Sequence, residues 1–205
     1  MKISVDRLTA TPQEQDFEAS AAWLKEWSLA QREPERTVLE PFRFALRAHT
    51  MGEDLLLEGE MTSALEAECS RCLARYRHAL RDAFTLVLEP AGDRVPADPE
   101  GASALAERGV CLGDDLETGL YRGPELDLSA FFAEVAALAL PVQPLCREDC
   151  AGLCPRCGVD RNQGDCGCVE EERVSPFAVL EALRGGSKPE SGAAPEKEPK
   201  TGGKN

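Results

Sequence analysis

The chain has 205 residues, 42% of them hydrophobic, with 37 acidic against 23 basic side chains and a formal net charge of −14. Such a length and composition suit one folded domain with appended segments and exclude a wholly disordered acidic chain. The negative balance opposes non-specific attraction to nucleic acid, so any RNA contact must come from a local basic patch or through a basic protein partner.

Residues 1–8, with Ile3 and Val5 apolar among polar neighbours, read as a short strand. Phe17, Ala21, Leu24 and Trp27 recur at helical spacing and predict a helix within 12–31. From Phe42 the period becomes two: Phe42, Phe44, Leu46 and Ala48 alternate with Arg43, Ala45, Arg47 and His49. After a turn near Gly52 the alternation is cleaner. Leu57, Gly59, Met61, Ser63, Leu65, Ala67 and Cys69 take one face, and Glu58, Glu60, Thr62, Ala64, Glu66 and Glu68 the other. This is the pattern of a half-buried antiparallel strand with an acidic solvent face. Tyr76, His78, Leu80, Phe84, Leu86 and Leu88 repeat it, which predicts a hairpin whose tip is 69–72.

Residues 90–123 break the pattern. Nine acids stand against three arginines over 91–127, and this stretch reads as a mobile acidic insertion with at most a short helix at 102–108. An amphipathic helix follows over 126–140, with Leu128, Phe131, Phe132, Val135, Leu138 and Ala139 as its apolar stripe, Asp127 or Ser129 as cap and Pro141 as its end. Beyond the cysteine-rich stretch, residues 175–184 read as a short docking helix and 185–205 as a disordered tail. The predicted fold class is α+β: an antiparallel sheet or meander, one packed amphipathic helix and a C-terminal cysteine-rich zinc-knuckle segment. The expected organisation is an α+β domain over 1–143, with 144–184 packed on the same domain.

Residues 1–20 hold no apolar run of signal-peptide length, and the most apolar run, 128–140, contains Glu134 and is too short to cross a bilayer. The expectation is a cytoplasmic protein with no membrane partner, in a compartment where thiols stay reduced and clustered cysteines bind metal rather than each other.

Six of the nine cysteines lie within 144–168. Cys154-Pro-Arg-Cys157-Gly158 is a knuckle, in which two cysteines three apart can place both sulfurs on one cation while Gly158 tolerates a positive φ. Cys166-Gly-Cys168 supplies a second pair, since alternate residues of an extended chain point the same way. Cys69/Cys72 and Cys146/Cys150 make two more pairs, leaving Cys111 alone. Four thiolates complete one tetrahedral zinc site, so one or two structural zinc ions are expected. The local tetrad is Cys154, Cys157, Cys166 and Cys168, and the other would join Cys69 and Cys72 to Cys146 and Cys150.

The rival from another class is an iron–sulfur or redox protein, because Cys150, Cys154 and Cys157 have the spacing of a radical-SAM cluster motif. Against it, Arg156 stands where that motif usually has an aromatic residue, and no βα-repeat pattern surrounds it. The two histidines, His49 and His78, fall on predicted strands far from Cys154, and no phosphate loop, serine elbow or metalloprotease helix occurs. The chain therefore reads as no enzyme and as having no small-molecule substrate. Arg71, Arg75, Arg77 and Arg81 crowd the hairpin tip and its outgoing strand. They are the candidate contacts for RNA or an acidic protein surface, set against the plainer role of partners for strand glutamates.

Cys69-x-Arg-Cys72-Leu73 after an alternating strand, LDLSAFFAEVAALALPVQPLC, CREDCAGLCPRCG with its trailing CxC, and SPFAVLEALR together resemble the YceD-like family, the large ribosomal RNA subunit accumulation proteins. The chain departs from the family's commoner pattern at Ala151, where lysine is usual, and in its acidic 90–123 stretch. The resemblance implies a non-enzymatic ribosome-biogenesis factor that supports synthesis, processing or stability of large-subunit rRNA. Its implied partners are that rRNA, a basic large-subunit ribosomal protein, or both.

Overall fold

The period-two pattern that begins at Phe42 sets the architecture. In the structure, a computed structural model describing residues 1–31, 37–114 and 116–168, three long strands carry it: β3 (Val38–Met51), β4 (Asp54–Glu68) and β5 (Arg75–Pro90). They pair antiparallel in sequence order, β4 and β5 in unbroken register from Leu55↔Leu88 to Glu68↔Arg75. The residues read as one face are the buried ones: Phe42, Phe44, Leu46, Leu57, Met61, Leu65, Leu80, Phe84, Leu86 and Leu88. Pro41, which has no N–H for a ladder, lies where the β3–β4 register shifts between Glu40 and Arg43.

Outside the three long strands the structure differs from the sequence reading in four places. Residues 12–31 form a strand, β2 (Gln13–Glu18), before the helix α1 (Ala21–Ala30). β2 pairs with β3, and its polar alternation of Gln13, Glu14, Gln15 and Asp16 hides the strand from a hydrophobic-period reading because only Phe17 marks the inner side. Residues 1–8 give a strand of three residues, β1 (Lys2–Ser4), and a short 3-10 turn at Val5–Arg7.

The third and largest correction concerns residues 90–123, which are not a loose insertion. They contain helix α2 (Pro99–Arg108), capped by Asp98 through Gly101 N, and strands β6 (Val110–Leu112) and β7 (Thr118–Tyr121). β7 runs parallel to β5 and carries β6 at the edge, giving a six-stranded mixed sheet in the order β2-β3-β4-β5-β7-β6. Elements this short offer too few residues for a period to register. The predicted helix over 126–140 begins later, as α3 (Ser129–Leu138), because β8 (Glu125–Asp127) first pairs with β1 in a separate two-stranded ribbon. Asp127 Oδ1 accepts from Ser129 N at the helix start.

Helices α1 and α3 cover the inner face of the sheet. Trp23 and Trp27 stack at 6.2 Å and meet Phe42 edge-on, while Phe132 lies over Phe44 at 4.3 Å. Both buried indoles are satisfied by α3: Trp23 Nε1 donates to Ser129 O and Trp27 Nε1 to Ala133 O. Phe84 reaches Phe131 and Phe132 edge-on from β5. It does so across Gly59, where an added Cβ would lie 2.5 Å from Phe84 Cζ and also against the Ala45 carbonyl oxygen. The space over Gly59 is thus filled by a neighbour's ring.

The chain divides into two units, Met1–Cys166 and Gly167–Asn205. The segment through Cys166 belongs to the first, with the sheet and helices. Of the second, Gly167 and Cys168 are described; the helix expected over 175–184 and the tail over 185–205 lie outside the described residues. Among the described residues no helix is long and apolar enough to cross a membrane.

Gly59→Ala is expected to lower stability by about 1–3 kcal/mol, the usual cost of forcing a methyl into filled space. Urea unfolding followed by the fluorescence of Trp23 and Trp27 measures it; an unchanged midpoint would show that Phe84 and the β3 backbone at Ala45 both give way freely.

Candidate metal centres

The β4–β5 hairpin extends past the aromatic core, and its tip has a separate small core. Cys69, Cys72 and Cys150 are buried there, packed by Tyr76, Leu145, Cys146 and Leu153. Cys69 and Cys72 come from the tip itself; Cys146 and Cys150 come from the chain that leaves α3 past Pro141. The backbone holds the two together, with Ser70 N donating to Pro144 O at 2.8 Å and Leu153 N to Arg71 O at 3.0 Å.

The four sulfurs lie within 4.8 Å of one another, Cys69 Sγ being 3.8 Å from Cys150 Sγ and Cys72 Sγ 3.7 Å from Cys146 Sγ. A disulfide would bring two sulfurs to about 2.05 Å. A single tetrahedral ion with metal–sulfur bonds of about 2.3 Å sets its ligands about 3.8 Å apart. The two cross-segment distances match the edge of such a tetrahedron, and none of these four cysteines is in a disulfide.

Backbone N–H groups of Cys146, Cys72 and Arg71 point at the Cys69 sulfur and bring its thiol down to about 6 against the opposing effect of burial. Burial pushes Cys146 up to about 12, aided by the neighbouring Cys150, Cys72 and Cys69 sulfurs. One sulfur is thus prepared as a thiolate while its neighbour resists ionising beside it. A bound cation removes that conflict by stabilising all four as thiolates.

A second group lies further along the same unit. The sulfurs of Cys154, Cys157 and Cys166 also fall within 4.8 Å of one another. N–H groups of Cys157 and Arg156 lower the Cys154 thiol to about 6. The two CxxC turns have one shape. Leu73 N donates to Cys69 O and Cys69 N to Ala74 O, each at 2.9 Å; Gly158 N donates to Cys154 O at 2.9 Å and Cys154 N to Val159 O at 2.8 Å. The residue after the second cysteine has positive φ in both, 73° at Gly158 and 60° at Leu73. A leucine in that region is unfavourable by roughly 1 kcal/mol, so the tip's turn is imposed by its surroundings. Cys168, the remaining cysteine of the CxC pair, is exposed and belongs to the second unit. The radical-SAM-like triad is divided: Cys150 lies with the hairpin sulfurs, Cys154 and Cys157 with Cys166. Cys111 joins neither group; burial first, and then Asp98, raise its thiol.

The four arginines part company. Arg71 donates to Cys150 O at 3.0 Å and to Glu148 O at 3.4 Å, so it clasps the chain that carries two of the sulfurs. Arg75, Arg77 and Arg81 stand on the exposed face of β5 and pair with Glu66, Glu40 and Glu60. Arg81 binds Glu60 through both Nε and Nη2 and holds that carboxyl below its ordinary value.

Two residues absent from the sequence reading complete the surroundings. Asn162 Nδ2 donates to Cys150 Sγ at 3.4 Å, and its Oδ1 accepts from Ala151 N at 2.8 Å and Arg147 Nη2 at 2.6 Å. Asp160 accepts from Asn162 N and Nδ2 and from Gln163 Nε2. The only sequence signal is the turn-forming DRNQG between the knuckle and the CxC pair, which gives no hint of a reach back to Cys150.

The family model described as large ribosomal RNA subunit accumulation protein YceD matches residues 57–184, more than half of the chain. The chain belongs to the YceD family. An uncharacterized protein of Mycobacterium tuberculosis is 31% identical over 114 residues, 56% of this chain and 48% of the relative. One from Mycobacterium leprae is 29% identical over 134 residues, 64% of this chain and 55% of the relative. The chloroplastic large ribosomal RNA subunit accumulation protein YCED homolog 1 of Arabidopsis thaliana is 24% identical over 149 residues, 63% of this chain and 44% of its own. The chain spans about half the length of the curated relatives it matches. No solved structure matches it. The YceD match begins at Leu57 in β4 and takes in both cysteine groups.

Proposed function

We propose that this YceD-family chain is a non-enzymatic factor that supports accumulation of large-subunit ribosomal RNA, with structural zinc holding its binding surface in shape. The observation that carries the metal part is the meeting of four sulfurs, three of them buried, from two separate chain segments, within 4.8 Å of one another and at 3.7 and 3.8 Å across the two segments. All-sulfur tetrahedral coordination selects zinc or iron, and zinc supplies no redox chemistry of its own. Cys69, Cys72, Cys146 and Cys150 hold one ion; Cys154, Cys157 and Cys166 hold the other. Iron–sulfur clusters spread their cysteines over several irons, a poorer match to four sulfurs that all lie within 4.8 Å of one another.

The rRNA role rests on the family description. With a net charge of −14, the chain acts through a basic ribosomal protein rather than by gripping naked RNA. Arg75, Arg77 and Arg81 face solvent but each is matched by a glutamate. Exposed pairs of this kind hold weakly, so a partner's carboxylates or a few phosphates can exchange for them.

Metal analysis of the purified chain is expected to find two zinc ions, with Cys69→Ser and Cys154→Ser each retaining one at saturating metal; a coloured protein rich in iron would overturn the zinc assignment. Loss of the gene is expected to lower large-subunit rRNA relative to small-subunit rRNA, and an unchanged ratio would remove the proposed role. Capture at low and moderate salt is expected to recover a basic large-subunit ribosomal protein. Equally firm binding to naked rRNA in its absence would refute the protein-mediated route.

A further inference from the structure

The two cysteine groups are joined by a strap, residues 150–154, that has Cys150 at one end and Cys154 at the other. On one side the strap is tied to the hairpin tip: Leu153 N donates to Arg71 O and Arg71 Nη1 donates to Cys150 O. On the other it is tied to the loop between Cys157 and Cys166. Leu153 bridges Asp160, and Arg161 N donates to Gly152 O at 2.9 Å. Gly152, at φ 71°, lies so near the Arg71 carbonyl oxygen that a Cβ there would be 3.0 Å from it. The strap therefore fits closely between the two.

Asn162 sits at the centre of this contact. Two donors, Ala151 N and Arg147 Nη2, face its Oδ1, which fixes the orientation of the amide and leaves Nδ2 for Cys150 Sγ and Asp160 Oδ1. An N–H aimed at a ligating thiolate offsets part of the charge that four sulfurs bring to one cation. Outer partners of this kind typically change metal affinity by about 10- to 100-fold. Yet Asn162 belongs to the loop that Cys157 and Cys166 close, so its placement beside Cys150 depends on that loop being closed.

We propose that Asn162 is a positioning residue that couples the two metal centres, so that metal at the Cys154/Cys157/Cys166 group tightens metal at the Cys69/Cys72/Cys146/Cys150 group. The inference rests on the metal assignment made above. Coupling of this kind is reciprocal: the factor by which the second ion favours the first is the factor by which the first favours the second. The hairpin tip, with Arg71 and the paired arginines of β5 behind it, is then set rigidly only when both groups are filled.

The test titrates the full chain with cobalt(II), whose thiolate absorption reports each filled group, in competition with a chelator. Asn162→Asp keeps the size and the acceptor oxygen but removes the N–H aimed at Cys150. It is expected to bind two ions with the hairpin group weakened about 10- to 100-fold. Cys157→Ser is expected to bind one ion tightly coordinated, at the hairpin group, weakened by a similar factor. Adding Asn162→Asp to Cys157→Ser is expected to cost little more, since the loop no longer presents the amide. Unchanged affinity in Asn162→Asp, or losses that multiply in the double variant, overturns the coupling. A wild-type chain that binds no cobalt through thiolates overturns the metal assignment itself. Trp23 and Trp27 fluorescence checks that each variant keeps its sheet core, and Asn162→Ala repeats the comparison without the added charge.

Discussion

The tip of the β4–β5 hairpin depends on four sulfurs meeting. The aromatic core ends near Phe84 and Met61, Leu65 and Leu80 carry the apolar core a little further, and beyond the Val38↔Leu65 pair the ladder continues to Glu68 and Arg75 as two strands among the described residues. A two-stranded ribbon that leaves its core is marginal in water. At the tip, the buried set among the described residues is three cysteines with a few partly buried neighbours, little apolar surface with which to fix the chain by packing. Structural zinc sites contribute on the order of 10–16 kcal/mol in small zinc-dependent domains, more than such a cluster could supply. The positive φ of Leu73 fits the same account, because a local penalty persists only where the surroundings over-determine the backbone.

The hairpin's long strands and the packed face of α3 were legible from periodicity, because Phe42 to Leu88 alternates over enough residues for burial to leave a trace. The CxxC spacings named the sulfur pairs, since a knuckle is a local structure that chain geometry itself dictates. What periodicity could not reach was β2, whose inner residues are mostly glutamines, and β6 and β7, which are too short to alternate visibly. Asn162 was illegible for a different reason. Its partner atoms, Cys150 Sγ and Ala151 N, lie on a segment that turns back only once the strap has been threaded between tip and loop. Sequence spacing describes neighbours along the chain, and that contact exists only after folding.

The arginines make the same point about charge. Read along β5, Arg75, Arg77 and Arg81 look like a basic stripe. In the sheet each stands beside a glutamate of β3 or β4, and Glu18 and Glu14 of β2 treat Arg43 and Arg47 likewise. Strand pairing converts a cationic row into a chequered surface whose far field largely cancels. Arg71 is spent on the backbone carbonyls of Glu148 and Cys150.

That cancellation bears on how such a surface can act. A bare cationic patch attracts any polyanion at long range, whereas a chequered face offers almost no steering and discriminates only at contact, by the positions of its charges. Discrimination of that kind requires the charges to be held in place. β5 carries its arginines between two anchors: Phe84 packed on α3 at one end and Cys69/Cys72 clamped to Cys146/Cys150 at the other. Releasing the second anchor would let the ribbon twist and scatter the pattern while leaving the composition untouched. Under the proposed function, the sulfur centres would serve recognition through rigidity, and a chequered surface held in place would suit a partner with its own interleaved charges rather than a uniform phosphate backbone.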